Sequence, residues 1–201
     1  MASKTYAFAS TRTLSTMATR AIVYESNGHP ASALSVVTYP PLPKPTGSSV
    51  TVKHLLSPIH PSDINVVEGV YPNPPRARQL TVRGEERTLH ILGNEGLGEI
   101  TDVGEAVNDL KKGDWVLFAK GQPGTWSSGQ TVEEVDVMKV DRETGISAVN
   151  AATLAVRSIW KTPVLGTRRS SDNAGESNVS IQYVIRICGP ATWRLGCAER
   201  C

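Results

Sequence analysis

The sequence predicts a mainly β fold of the α+β kind, with short helices and an irregular C-terminal stretch, and three observations carry that prediction. Ser49 to Leu56 alternates, placing Val50, Val52, His54 and Leu56 on one face and Thr51, Lys53 and Leu55 on the other, the period-two pattern of a half-buried strand. Asp114-Trp-Val-Leu-Phe-Ala is a compact apolar run after the turn Lys111-Lys112-Gly113, which suits a buried strand. The stretches of helical character are brief: one around Pro61-Ser-Asp-Ile-Asn and one from Ala148 to Val156.

In chain order, Met1 to Arg20 carries Lys4, Arg12, Arg20, five threonines and three serines before the first acid, Glu25. That composition predicts a mitochondrial transit peptide or a disordered tail over residues 1–19. Ala21 to Glu25 and Ala33 to Thr38 are read as short strands. Tyr39-Pro-Pro-Leu-Pro-Lys-Pro is a connection that cannot join a central ladder, because proline lacks the N–H. Pro61 suits an early helical position, and Gly69 stops that helix before Tyr71. Arg76 to His90 is polar and charged without clear periodicity and is read as a surface loop. Ile91 to Val103 is read as strand broken by glycines, and Thr131 to Val140 alternates again. After Val156 the character changes: Arg157 to Cys201 brings in two of the four tryptophans and all three cysteines, with Val179 to Ile187 as its one expected strand.

Charges of both signs are scattered along the 201 residues for a net of +2, without the clustered basic stripe of a nucleic-acid footprint. No apolar run approaches the roughly 18 residues that suggest a bilayer span. Cys188, Cys197 and Cys201 match no zinc spacing and are read as free thiols. A cysteine-free stretch before them fits a reducing compartment. Gly93-Asn-Glu-Gly-Leu-Gly runs in the reverse order of the dinucleotide fingerprint and leads into a strand-like run rather than a helix, so it is not read as a cofactor loop.

Taken together, Ser57 to Pro75 with its Pro-Ser-Asp-Ile-Asn and Gly-Val-Tyr-Pro, Gly93-Asn-Glu-Gly, Asp109-Leu-Lys-Lys-Gly-Asp-Trp-Val, Gly124-Thr-Trp and Asn150-Ala-Ala-Thr-Leu-Ala-Val resemble the medium-chain dehydrogenase/reductase superfamily. Within it the chain resembles the mitochondrial trans-2-enoyl thioester reductases, which act on CoA or acyl-carrier-protein thioesters. The resemblance covers residues 20–156 and implies a GroES-like β-barrel there, with residues 157–201 a divergent tail of no recognised domain. It further implies NADPH as cofactor, an enoyl thioester as substrate, the mitochondrial matrix as location and a homodimer in relatives.

The resemblance implies that Tyr71 is the catalytic residue, giving a proton to the α-carbon while hydride adds at the β-carbon. The chemistry asks for such a group, because reduction at the β-carbon leaves an enolate that a neutral phenol can protonate. A tyrosine packed on prolines at a surface turn is the plainer alternative. Trp126 and Asn94 are implied as substrate-binding residues, with a strand aromatic filling the barrel end as the other reading of Trp126. Asn94-Glu95 stands where zinc-dependent alcohol dehydrogenases carry His-Glu, and His60 near a cysteine ligand of theirs. One histidine cannot build that tetrahedral site. His60 departs from the asparagine usual in the motif and is read as a solvated or backbone-bonded side chain.

At Arg157-Ser-Ile-Trp the relatives continue as Asn-Pro into a Rossmann domain that holds NADPH. The chain is therefore expected to be truncated before that domain, or mis-spliced at Val156, and inactive or nearly so on its own. A non-catalytic GroES-like binding module and a quinone-type reductase are the alternatives.

Overall fold

The computed structural model of the chain describes residues 18–72, 74–154, 183–188 and 192–197. β1 (Thr19–Tyr24) is followed by α1 (Pro30–Ala33), β2 (Ser35–Tyr39), β3 (Ser49–Ile59), α2 (Pro61–Glu68), β4 (Ala77–Val82) and β5 (Glu85–Ile91). Then come β6 (Leu97–Val103), β7 (Trp115–Phe118), β8 (Gly129–Glu133), β9 (Val137–Val140), α3 (Ala148–Ala152), β10 (Tyr183–Cys188) and β11 (Thr192–Cys197). The mainly β expectation holds, and both expected helices form.

The strands make two sheets. One is four-stranded in the order β2-β1-β5-β4; the other runs β11-β10-β3-β6-β7-β9, with β8 also paired to β3. Every β3 pairing is antiparallel. As its alternation predicts, Val50, Val52, His54 and Leu56 are all buried. The first sheet packs Ala21, Val23, Val37, Tyr39, Val82, Leu89 and Ile91 together. The second packs Val50, Val52, Ile100, Val116, Phe118 and Val137. Each Val, Leu, Ile or Phe among them contributes about 1.5–3 kcal/mol on full burial.

Residues 125–128 stitch the two sheets. Ile22 N–H donates to the Trp126 carbonyl at 2.8 Å and Trp126 N–H to the Leu92 carbonyl at 2.8 Å, and Ala21 bridges Ser127. The same segment then runs into β8, which pairs with β3. One stretch of chain thus belongs to both sheets and fixes what lies beside it.

Three expectations need correction. The loop read from Arg76 to His90 is a hairpin, β4 and β5, in register from Ala77↔His90 to Val82↔Glu85. Its turn is Arg83-Gly84, with φ of 54° and 86°. Two consecutive positive φ values make the tight turn whose twist matches the flanking strands. The inward residues are Leu80, Val82, Leu89 and Ile91, at alternate positions, and Arg78, Glu85 and Arg87 fall on the same alternation and hide the pattern. The strand read from Ala33 begins at Ser35 instead, because Pro30–Ala33 forms a helical turn whose N-terminus is capped by the His29 side chain. In the tail, the strand expected within Val179 to Ile187 is present as β10, and β11 joins it as a second strand that the sequence reading did not anticipate. The expected leader lies outside the described residues as far as Met17, and Thr19 already belongs to β1.

Candidate functional site

The candidate site is organised by α2. Pro61 opens the helix, its fixed φ and missing N–H suiting the first position. Gly69 closes it with φ 79°, a left-handed conformation that costs glycine little. The Asn65 carbonyl then accepts the N–H groups of Val70 at 3.0 Å and Tyr71 at 3.2 Å. Asn27 Nδ2 reaches the Val66 and Val67 carbonyls at 2.9 and 3.2 Å. Tyr71 is therefore fastened by its backbone to the C-terminus of α2.

Its ring is half-buried against Tyr24, Val66, Val67, Leu92 and Trp126. Among the described residues the Tyr71 hydroxyl has no hydrogen-bond partner. A half-exposed phenol on an apolar bed is free to offer its proton outward. Trp126 is only 2% exposed, and its indole N–H is spent on the Pro58 carbonyl at 3.2 Å. It belongs to the buried apolar cluster against which Tyr71 packs. Asn94 is half-buried and donates through Nδ2 to Ser62 Oγ at 2.9 Å, tying the 93–96 loop to the first turn of α2.

His60 is not a solvated side chain, and this corrects the sequence expectation. Its Nε2 lies 2.5 Å from Glu95 Oε1, with the two side chains 12% and 1% exposed. The Glu95 hydrogen bond holds the imidazole above its usual value, against the opposing pull of burial. Asp63, 1% exposed, accepts from His60 N–H at 2.8 Å and from the Asn94 backbone N–H. Burial pushes the Asp63 carboxyl up to about 6, against those N–H groups and the nearby imidazole. Two carboxyls and one imidazole thus join α2 to the 93–96 loop. The sequence signal for this cluster was Asp63 at the third helical position, where a carboxylate satisfies N-terminal N–H groups. Nothing local in the sequence pairs His60 with Glu95, which stand 35 positions apart.

The glycines of Gly93-Asn-Glu-Gly-Leu-Gly serve close packing. A Cβ on Gly93 would lie 2.3 Å from Thr125 Oγ1, one on Gly96 2.8 Å from the Leu56 carbonyl oxygen and one on Gly98 2.2 Å from Val52 Cγ1. They are filled in by protein, where a phosphate cradle needs open N–H groups. Among the described residues no group of three or more His, Cys, Asp or Glu is arranged to hold a metal, and no helix is long and apolar enough to cross a membrane. A cavity of about 610 Å³ lined by Arg76, Arg78, Gln130 and Glu133 among others includes none of Tyr71, Asn94 or Trp126.

A strand-built barrel with one short helix holding a half-buried tyrosine at its end defines the class: residues 46–158 match the alcohol dehydrogenase GroES-like domain, and the chain belongs to that family, within the medium-chain dehydrogenase/reductases. Among particular proteins it is similar to the mitochondrial enoyl-[acyl-carrier-protein] reductase of Yarrowia lipolytica, 39% identical over 165 residues, 80% of this chain and 42% of that protein. The corresponding enzyme of Arabidopsis thaliana is 36% identical over 164 residues, 80% and 39% of the two chains. The NADPH quinone oxidoreductase of Kluyveromyces marxianus is 38% identical over 139 residues, 68% and 36%. Among solved structures, the mitochondrial 2-enoyl thioester reductase Etr1p/Etr2p heterodimer of Candida tropicalis superposes with a TM-score of 0.60 at 31% identity, over 69% of this chain and 40% of that one. A variant of Etr1p in complex with NADP and crotonyl-CoA gives 0.63 at 31% identity, over 70% and 40%. The chain spans about two fifths of the length of the relatives it matches.

Proposed function

We propose that this barrel is the substrate-side half of a mitochondrial NADPH-dependent enoyl thioester reductase, with Tyr71 as the proton donor. The single observation that carries the reading is the setting of Tyr71, whose backbone is held by α2 and whose ring rests half-exposed on the Trp126 cluster. Reduction of an enoyl thioester at its β-carbon leaves an enolate. The Tyr71 O–H bond breaks as a new C–H bond forms at the α-carbon, leaving a phenolate that regains its proton from water. Asn94, tied to the first turn of α2 through Ser62, is the polar residue this reading assigns to the thioester, and Trp126 acts by supporting the Tyr71 ring. NADPH is the hydride source this reading implies. The Gly93–Gly98 stretch offers no open cradle for its phosphates, since Gly93, Gly96 and Gly98 are packed closed, and the steps given to this chain are those on the thioester alone.

Mitochondrial location, a CoA or acyl-carrier-protein thioester as substrate and a homodimer belong to the same reading. The names of the relatives from Yarrowia lipolytica and Arabidopsis thaliana support the location and an acyl-carrier-protein thioester, and the Etr1p complex with crotonyl-CoA supports a CoA thioester. The Kluyveromyces marxianus relative supports a second reading, a quinone-type reductase. A barrel that only binds, without catalysis, is the third.

The test grafts residues 46–158 into the Yarrowia lipolytica relative in place of the matching part. The graft should reduce crotonyl-CoA with NADPH, and Tyr71→Phe should lower that rate by about 10²-fold or more, the usual contribution of a positioned acid. An unchanged rate in Tyr71→Phe overturns the donor role. Quinone reduction without crotonyl-CoA reduction selects the second reading, and a graft inert toward both selects the third. The purified 201-residue chain should show no NADPH oxidation with crotonyl-CoA.

A further inference from the structure

We propose that His60 and Glu95 are positioning residues for Tyr71, acting through α2 as a short rigid bar clamped at both ends. The proposal rests on reading Tyr71 as the proton donor, but its geometry stands apart from catalysis. At one end of the bar, His60 caps α2 and its Nε2 meets Glu95 at 2.5 Å. Glu95 is itself fixed, because its backbone carbonyl accepts Thr125 Oγ1–H at 2.6 Å and its side chain is 1% exposed. Asp63 and Ser62, in the first turn, bind the same loop through Asn94. At the other end, the Asn65 carbonyl holds the Tyr71 N–H, while Asn27 and Gly28 hold the carbonyls of Val66 and Val67.

Helix α2 has eight residues, about 12 Å at 1.5 Å per residue. A tilt of such a bar at its N-terminus appears as displacement at its C-terminus, where Tyr71 hangs. Removing one partner of a buried, hydrogen-bonded charge pair takes that compensation from the other and drives local rearrangement. Rearrangement at Glu95 or His60 is therefore passed to Tyr71, although neither residue is hydrogen-bonded to it. The group acting on substrate is Tyr71; His60 and Glu95 act through the helix.

The test follows the Tyr71 ring in the full chain, labelled with ¹³C on its tyrosine rings, the Tyr71 signal being the one lost in Tyr71→Phe. His60→Ala and Glu95→Ala should move that signal by more than its linewidth or broaden it. His60→Gln, whose amide Nε2–H can still donate to Glu95, should return it toward the original position. Leu110→Ala, in the second sheet's core, serves as the control: it lowers the melting temperature and leaves the Tyr71 signal in place. A Tyr71 signal that coincides with that of the unmodified chain in His60→Ala or Glu95→Ala overturns the proposal. Should the alanine variants unfold, Glu95→Gln and His60→Gln carry the same comparison, and equal displacement in both, with no restoration by His60→Gln, also overturns it. None of these readings depends on turnover, so the loss of the Tyr71 catalytic role in the grafted enzyme would leave the positioning result standing, and the reverse.

Discussion

Gly93 and Thr125 approach so closely that no side chain fits between them: a Cβ on Gly93 would sit 2.3 Å from Thr125 Oγ1 and 2.7 Å from the Trp126 ring. Gly93 also has φ 109°, a region that L side chains rarely enter. Gly93→Ala should cost about 3 kcal/mol or more, from backbone strain and overpacking together. Urea denaturation checks this; a midpoint within error of the parent would contradict the packing described.

At Gly69 the argument is the same but the expected size is smaller. Its φ is 79° and an added Cβ would meet Asn27 Cγ at 3.0 Å. Gly69→Ala should lower stability by roughly 1–2 kcal/mol, the cost of a left-handed residue with a Cβ. Asn27→Ala, which removes the bonds to the Val66 and Val67 carbonyls, should be less than additive with it, because both act on one helix end. A double-mutant cycle in denaturant measures the coupling.

Trp126 gives a third prediction. Trp126→Phe keeps an aromatic ring but leaves the Pro58 carbonyl without the indole N–H. The loss should be about 1–3 kcal/mol for an unsatisfied buried acceptor, added to the smaller ring volume. Thermal unfolding followed by circular dichroism tests it, and an unchanged midpoint would contradict it.

His54 gives a pH prediction. It is fully buried, Nδ1 faces the Ser127 carbonyl at 2.8 Å, and burial pushes the imidazole down to about 4. The folded chain therefore binds this proton less readily than the unfolded chain, whose histidine sits near 6.5. His54 contributes stability above about pH 6.5 that is lost as pH falls toward 4, by roughly 3 kcal/mol. The Asp63 carboxyl, pushed up to about 6 by burial, acts in the opposite sense: its stabilisation grows as pH falls below that value. The comparison is thus between parent and His54→Gln, whose stability difference should narrow by about that amount between pH 7 and 4 in denaturant titrations. A constant difference would contradict the buried neutral histidine.

Much of the barrel was legible because strand periodicity is local. Val50, Val52, His54 and Leu56 could be assigned to one face from spacing alone, and Pro61 and Gly69 bracketed α2 through backbone chemistry. The β4–β5 hairpin was not legible, because Arg78, Glu85 and Arg87 fall on the same alternation as Leu80, Val82, Leu89 and Ile91 and its turn is Arg83-Gly84 rather than an asparagine-glycine or aspartate-glycine pair. The candidate site divides the same way. Tyr71 and Asn94 could be named from an ordered set of motifs. The His60–Glu95 pair could not, because side chains 35 positions apart meet only once β6 and α2 are in place.

Strand β3 leaves little of itself uncommitted. Leu56 pairs with Leu97 on one side and Arg186 on the other. β8 takes the near half of that second side, from Ser49 to Lys53, and β10 the far half, from Leu56 to Ile59. The C-terminal hairpin therefore takes up the ladder donors and acceptors that lead directly into His60 and α2. A further strand, from another protein or from a fused domain, would have to build outward from β11 or evict β10 first. Strands β10 and β11 thereby act as the gatekeepers of one sheet edge.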